Sequence, residues 1–304
     1  MSTDLAVVGT VVPRMGFADK VQGKTRYTAD LKRPGMLYGR VLRSPHAHAR
    51  IVHIDVSASM RLPGVHAVLT YRDVPAVRLE ADLLPLDEIV RFVGDEVAVV
   101  AAESETLAED ALRLIRVEYE VLPAVFDAEE ALRPDAPSVH AQGNLVGGKA
   151  LVVERGNVAE ALSRAARVFE GTFRTQIHAP VGMETRAALA EWQGEGLTVW
   201  KTSRAVHAND RQTLARVLGI PPAQVRVICT SMGGGFGNKD ESRLAVLVAL
   251  LARQAGRPVR LEYSRAEEFI AGLTTSASVR RPGTRRSSEG RTPCAVARNE
   301  TTRG

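Results

Sequence analysis

Residues 224–240 read Gln-Val-Arg-Val-Ile-Cys-Thr-Ser-Met-Gly-Gly-Gly-Phe-Gly-Asn-Lys-Asp. The first six residues form a strand entering a core, and a strongly apolar helix is predicted over 239–255. The glycines between them let backbone N–H groups approach an anion closely, and a helix N-terminus adds a favourable dipole, so phosphate or another oxyanion is the natural guest. A tight strand-to-helix turn with no ligand uses the same residues. A dinucleotide fingerprint is excluded, because the sixth position counted from Gly233 is Asn238 rather than glycine. Gly143-Asn144-Leu145-Val146-Gly147-Gly148-Lys149-Ala150 almost spells a P-loop, but Ala150 lacks the hydroxyl that would hold magnesium, and a strand follows instead of a helix.

Working outward, strands are predicted near 197–202 and 186–192, flanking the turn Gln193-Gly194-Glu195-Gly196, with a further strand over 168–177. A helix is expected near 209–218, a strand at 258–263, and short helices capped by Asn157 with Glu160 and by Ser264 with Glu267. Nearer the N-terminus, strands are predicted at 36–43, 49–54, 65–70, 90–101 and 116–121. The helix over 104–115 is capped by Ser104 and carries Leu107, Ala108, Ala111, Leu112 and Ile115 on one face. The class is therefore α+β. Arg133-Pro134-Asp135-Ala136-Pro137 reads as a linker between two regions.

The 304 residues, 45% hydrophobic and 25% charged, suit a globular protein of about two domains and exclude a disordered chain. Apolar runs such as Ala245–Ala252 are too short to span a bilayer. No signal-peptide pattern is read at the start, and the expected location is the cytoplasm. Cys229 and Cys294 are too few for a disulfide framework or a Cys-based zinc site. The formal net charge of +5 resides entirely after Leu273, where seven arginines face two glutamates. With no interleaved aromatic for base stacking, Arg280, Arg281, Arg285, Arg286 and Arg291 read as a solvated tail, and nucleic acid is not the expected partner. From 273 to 304 the chain is too poor in apolar residues to order itself, and disorder is predicted.

His46-Ala47-His48 on an extended segment places two rings on one face, but no further ligand cluster supports a metal, and a structural role is expected. His178, at a strand end, reads as a packed histidine. No metal ligand set and no Ser/His/Asp or Cys/His constellation is predicted.

A set of ordered motifs carries a family resemblance. Gly23 to Asp30, Pro34-Gly35-Met36-Leu37-Tyr38-Gly39, Arg43 to Ile51 with Asp55, Pro63-Gly64-Val65 and Asp73-Val74-Pro75 resemble the hammerhead domain of the xanthine dehydrogenase and aldehyde oxidase family. Gln176 to Glu184, Ala190-Glu191-Trp192, Leu218-Gly219-Ile220 and Gly233 to Lys239 are similar to the first molybdopterin-binding segment of the same large subunit. The resemblance implies a hammerhead-type α/β domain over 12–135, the first, incomplete part of a molybdopterin-binding α+β domain over 148–272, and a tail over 273–304. It implies a molybdenum hydroxylase, which hydroxylates an N-heterocycle or aldehyde with water-derived oxygen. The cofactor would be molybdenum-molybdopterin, in a cytosine dinucleotide form, with 2Fe-2S and FAD on partner chains. The backbone of Gly234, Gly235, Phe236 and Gly237 would contact the cofactor, Phe236 and Asp240 would face the substrate, and Arg204 would stand beside the cofactor.

Two departures matter. Arg204 occupies the place of the family's usual glutamine, and Met183-Glu184-Thr185 that of Met-Glu-Pro. The family's general-base glutamate has no counterpart in this chain, so no catalytic residue is assigned. The break at Leu273 reads as a frameshift ending in an early stop, or else one half of a split enzyme, and a fragment inactive alone is expected. The alternative is a non-enzymatic binding module that uses its Arg-rich tail to bind nucleic acid or an acidic partner.

Overall fold

The computed structural model describes residues 8–9, 11, 13–79, 83–145, 157–271, 274, 278–286 and 295–300. Its strands are β1 (Leu37–Arg43), β2 (Ala49–Asp55), β3 (Val65–Thr70), β4 (Ile89–Val90), β5 (Glu96–Ala102), β6 (Arg116–Val121), β7 (Arg167–Glu170), β8 (Phe173–Thr175), β9 (Ala187–Gln193), β10 (Gly196–Lys201), β11 (Val225–Ile228), β12 (Val259–Glu262), β13 (Ser278–Arg286) and β14 (Ala295–Glu300). The helices are α1 (Phe17–Val21), α2 (Ser57–Met60), α3 (Glu105–Arg113), α4 (Ala128–Ala131), α5 (Val158–Ser163), α6 (Arg211–Leu218), α7 (Arg243–Ala255) and α8 (Arg265–Ile270).

Seven strands form one sheet in the order β11-β10-β9-β12-β1-β5-β3. Its centre joins the two halves of the chain: β1 runs parallel to β12, with Leu37 opposite Val259 and Gly39 opposite Leu261. The linker-like stretch 133–137 therefore coincides with no edge of the sheet. The reason lies in β5, Glu-Val-Ala-Val-Val-Ala-Ala, which is buried at all seven positions. A strand without polar alternation needs cover on both faces. Val99 and Ala101 join the cluster built around α7, while Ala98 and Val100 pack with Ala111 of α3 and with Ile51 and Ile54 of β2. β2 belongs to a second, three-stranded sheet, β4-β2-β6, that closes this face.

The predicted helix caps form. Ser104 Oγ accepts from Leu107 N at 3.2 Å, Asn157 Oδ1 from Glu160 N at 3.0 Å, and Ser264 with Glu267 closes a complete capping box. Four elements differ from expectation. The strand read over 90–101 is two, β4 and β5, because Gly94 turns the chain at φ 101°. The strand read over 168–177 divides into β7 and β8. A wide π turn, Val206–Asp210, precedes α6. The helix predicted from 239 begins only at Arg243, because Asn238 N donates to Gly235 O and closes the glycine turn instead.

The disorder expected of the tail is corrected for residues 278–286 and 295–300. β13 pairs antiparallel with β7, β8 and β14, with Gly283 opposite Glu170 and Val279 opposite Arg174. Composition argued against a core there, but an open strand edge orders a neighbour through backbone hydrogen bonds, whatever its side chains. Arg280, Arg281, Arg285 and Arg286 lie on β13. Arg291, Cys294, the break at Leu273 and the stretch Val146–Ala150 lie outside the described residues.

Candidate functional site

Strand directions gather the predicted residues at one edge. β10 and β11 are parallel, so the segments after Lys201 and after Ile228 leave the sheet on the same side. β9 is antiparallel to β10 and to β12, which brings the segment before Ala187 and the segment after Glu262 to that side as well. This is the carboxyl-end edge of the parallel strands, where sheets of this kind place ligands.

The glycine loop occupies the middle of that edge. Gly234, Phe236 and Gly237 have φ of 104°, 52° and 84°, and Phe236 is the only non-glycine residue with positive φ among those described. The left-handed conformation costs a bulky residue about 1–2 kcal/mol, so the surroundings must hold it. Left-handed residues interleaved with Gly235, whose φ is not positive, turn successive backbone N–H groups to one side, the kind of concavity that binds anions. Among the described residues, the N–H groups of Gly234, Gly235, Phe236 and Gly237 find no acceptor. Asn238 Oδ1 is buried and likewise has no partner there. A Cβ at Gly237 would meet nothing within 4 Å, and the Phe236 ring is 76% exposed.

The segment 182–185 crosses under the loop. A Cβ on Gly182 would come within 3.1 Å of the Gly234 carbonyl, and one on Gly233 within 2.5 Å of Glu184 Cβ. Glu184 Oε2 accepts from Gly233 N at 2.7 Å and from Lys239 Nζ at 2.8 Å, while Oε1 accepts from the Thr202 hydroxyl at 2.8 Å. The Thr185 departure is accommodated, since its hydroxyl donates to Glu262 Oε1 at 2.8 Å.

Arg204 and Asp240 are brought together: Nε to Oδ1 is 2.9 Å and Nη2 to Oδ2 is 2.7 Å, a bidentate pair. Arg204 is 72% exposed, so the pair holds orientation more than it holds the fold. Replacing Arg204 with Ala is expected to change unfolding free energy by about 1 kcal/mol or less, read from denaturant midpoints.

Beneath the loop lies a buried ionic layer that sequence reading missed. Arg186 N and Nε donate to Glu268 Oε1 at 2.5 and 3.2 Å, and Asn238 Nδ2 donates to Glu268 Oε2 at 3.1 Å. Lys201 Nζ and Ser242 Oγ meet Asp210 Oδ1 at 2.6 and 2.7 Å. Arg243 spans Asp95 and Glu96, and the Tyr263 hydroxyl donates to Glu96. Burial, reinforced by Glu96, pushes the Glu241 carboxyl up, against the pull of Arg186, Arg243 and Lys201. A charged residue at the start of a mostly apolar helix, as Arg243, or just before such a strand, as Arg186, was the available signal.

His46 and His48 take no part in the edge. His48 Nδ1 lies 2.6 Å from Pro123 O, and the His46 ring stands edge-on to Tyr119. His178, expected to be packed, is exposed, as is every residue from Thr172 to Ile177 before it. Among the described residues no group of three or more His, Cys, Asp or Glu side chains is spaced to hold a metal, and no helix is long and apolar enough to cross a membrane.

Residues 139–281 match the molybdopterin cofactor-binding domain, and residues 22–123 match the aldehyde oxidase and xanthine dehydrogenase a/b hammerhead domain. The chain belongs to the molybdenum hydroxylase family of xanthine dehydrogenase-type large subunits. It is 38% identical over 259 residues to a probable xanthine dehydrogenase subunit of Bacillus subtilis, covering 84% of this chain and 34% of that one. It is 35% identical to the nicotinate dehydrogenase large molybdopterin subunit of Eubacterium barkeri, covering 93% and 66%. The structure of quinoline 2-oxidoreductase from Pseudomonas putida 86 superposes with a TM-score of 0.85 at 34% identity, over 96% of this chain and 39% of that one. The chain thus spans between about a third and two thirds of these relatives. The glycine loop, Glu184, Arg204 and Asp240 all fall inside the molybdopterin-binding match of this family, which runs past Leu273 into β13.

Proposed function

We propose that this chain supplies one wall of the molybdopterin site of a molybdenum hydroxylase, an oxidoreductase that acts on an N-heterocycle or aldehyde. The observation that carries the reading is the loop 233–237, whose N–H groups lack acceptors among the described residues and whose Phe236 is held in a left-handed turn. These residues fit an oxygen-rich, anionic group: the backbone of Gly234, Gly235, Phe236 and Gly237 would hold it through N–H donors, with no Cβ in the way at Gly237. When bound, the molybdenum cofactor supplies oxygen transfer from water and accepts two electrons. The exposed Phe236 ring offers a flat apolar wall for a heterocycle, and Asp240, fixed by Arg204, presents an acceptor beside it. We take the cofactor to be the cytosine dinucleotide form, and further chains to carry 2Fe-2S and FAD. We assign no general base among these 304 residues and take them to be inactive alone.

The test is metal and pterin content. Co-expressed with its accompanying chains in a host that makes molybdopterin, the wild-type chain should carry close to one molybdenum and one pterin. Gly237→Val has open space for its side chain but a disfavoured φ of 84°, and should carry at least ten-fold less. A folded, assembled wild-type chain without molybdenum would overturn the proposal.

A further inference from the structure

We propose that Glu184 and Glu268 are positioning residues that grip the glycine loop, Glu184 at both of its ends and Glu268 through Asn238, so that the left-handed turn at Phe236 is set before any ligand arrives. The inference rests on reading the loop as the molybdopterin seat. One carboxylate holds both feet of the arch: Glu184 Oε2 takes the N–H of Gly233, which precedes the turn, and the ammonium of Lys239, which follows it. Its backbone adds a third tie, Glu184 N to Gly233 O at 3.1 Å. The side chains of Glu184 and Lys239 are 9% and 2% exposed, so water competes little for these contacts. Glu268, fully buried, holds Asn238 from below.

Both grips stand on elements that are themselves fixed. Arg265 of α8 donates to the carbonyls of Gly182 and Met183 at 2.7 and 2.5 Å, which ties the segment carrying Glu184 to the helix carrying Glu268. The capping box at Ser264 and Glu267 secures the start of that helix. A turn that is unfavourable for Phe therefore persists because the residues on both sides of it cannot move apart.

Chemistry makes the grip testable. Glu184 serves three donors, and because the Thr202 hydroxyl can turn from donor to acceptor, an amide in its place keeps these contacts and removes the negative charge. Lys239 would then lose its counter-charge in a buried place. Glu184→Gln should therefore loosen the loop even though it keeps the volume. In the double variant Glu184→Gln/Lys239→Met the amide oxygen can take Gly233 N–H and the amide nitrogen can donate to Thr202, so the loop should tighten again.

The experiment is amide hydrogen exchange on the full chain, together with molybdenum content of the assembled complex. We expect the hydrogen-bonded amides of Gly233 and Asn238 to exchange at least ten-fold faster in Glu184→Gln with those of β9 and α7 unchanged, and to return to within about three-fold of wild type in the double variant. Molybdenum content should fall and recover in parallel. Unchanged exchange at Gly233 and Asn238, or a rise shared equally by β9 and α7, would overturn the proposal. Should Glu184→Gln not fold, Thr202→Val and Glu268→Gln carry the same reading. A wild-type complex without molybdenum sinks the cofactor seat, while the exchange data still decide the grip.

Discussion

Replacing Arg243 with Ala is expected to lower unfolding free energy by about 3–5 kcal/mol, read as a fall in denaturant midpoint at unchanged m-value. Arg243 is the first residue of α7 and is 5% exposed. Its Nη1 lies 2.9 Å from Asp95 Oδ1, and its Nε lies 2.5 Å from Glu96 Oε2 and 3.0 Å from Pro85 O. Removing it takes from Asp95 its cationic partner among the described residues and leaves Glu96 with Arg43 at 3.6 Å and the Tyr263 hydroxyl; both carboxylates are at least nine-tenths buried, so the uncompensated charge dominates over the lost packing. Arg243→Met restores most of the volume but should recover little. Adding Glu96→Gln to it should recover part of the loss, because one of the two buried negative charges is then removed. A loss below about 1 kcal/mol in Arg243→Ala would show that the carboxylates are hydrated rather than paired.

Gly94→Ala is expected to cost about 2–5 kcal/mol, summing backbone strain and overpacking. Gly94 has φ 101°, and a Cβ there would stand 2.9 Å from Ile270 O and 3.1 Å from Ile270 Cβ. Backbone cannot swing aside as a side-chain tip can. The same residue donates from N to Ser44 O at 2.8 Å and accepts from Arg43 Nη1 at 3.0 Å, so moving the turn also disturbs β1 and α8. Thermal midpoints of the single and double variants should be non-additive with Arg243→Met, since Asp95 follows Gly94 directly and is the partner of Arg243.

Local elements were legible where pattern and caps agree. Ser104 before Leu107, Ala108 and Ala111 gave α3, and Ser264 with Glu267 gave α8, because capping is decided within four residues. The hairpin of β9 and β10 followed from Gly194 and Gly196 between two apolar runs. The site was legible in part: the glycines marked the loop, and the family motifs marked Arg204 and Asp240 without showing that the two side chains pair. What could not be read was everything set by partners distant in sequence. Nothing near Leu37 announces Val259 as its neighbour, and nothing in Glu96 distinguishes a buried ion-pair partner from a surface acid. The tail failed for a related reason, since strand pairing at an edge depends on the neighbouring backbone rather than on composition.

The pairing of β1 with β12 has a consequence for how the chain comes to be made. The two strands are separated by more than 200 residues, so at about 5–20 residues per second β1 leaves the ribosome about 10–45 s before its parallel neighbour exists. During that interval β1, β5 and β3 can form a sheet whose β1 edge leaves seven residues of backbone unpaired, a template for pairing with other chains. Closure of the sheet is thus a late, non-local event, and the first hundred residues should need a chaperone or rapid completion of synthesis to avoid aggregating.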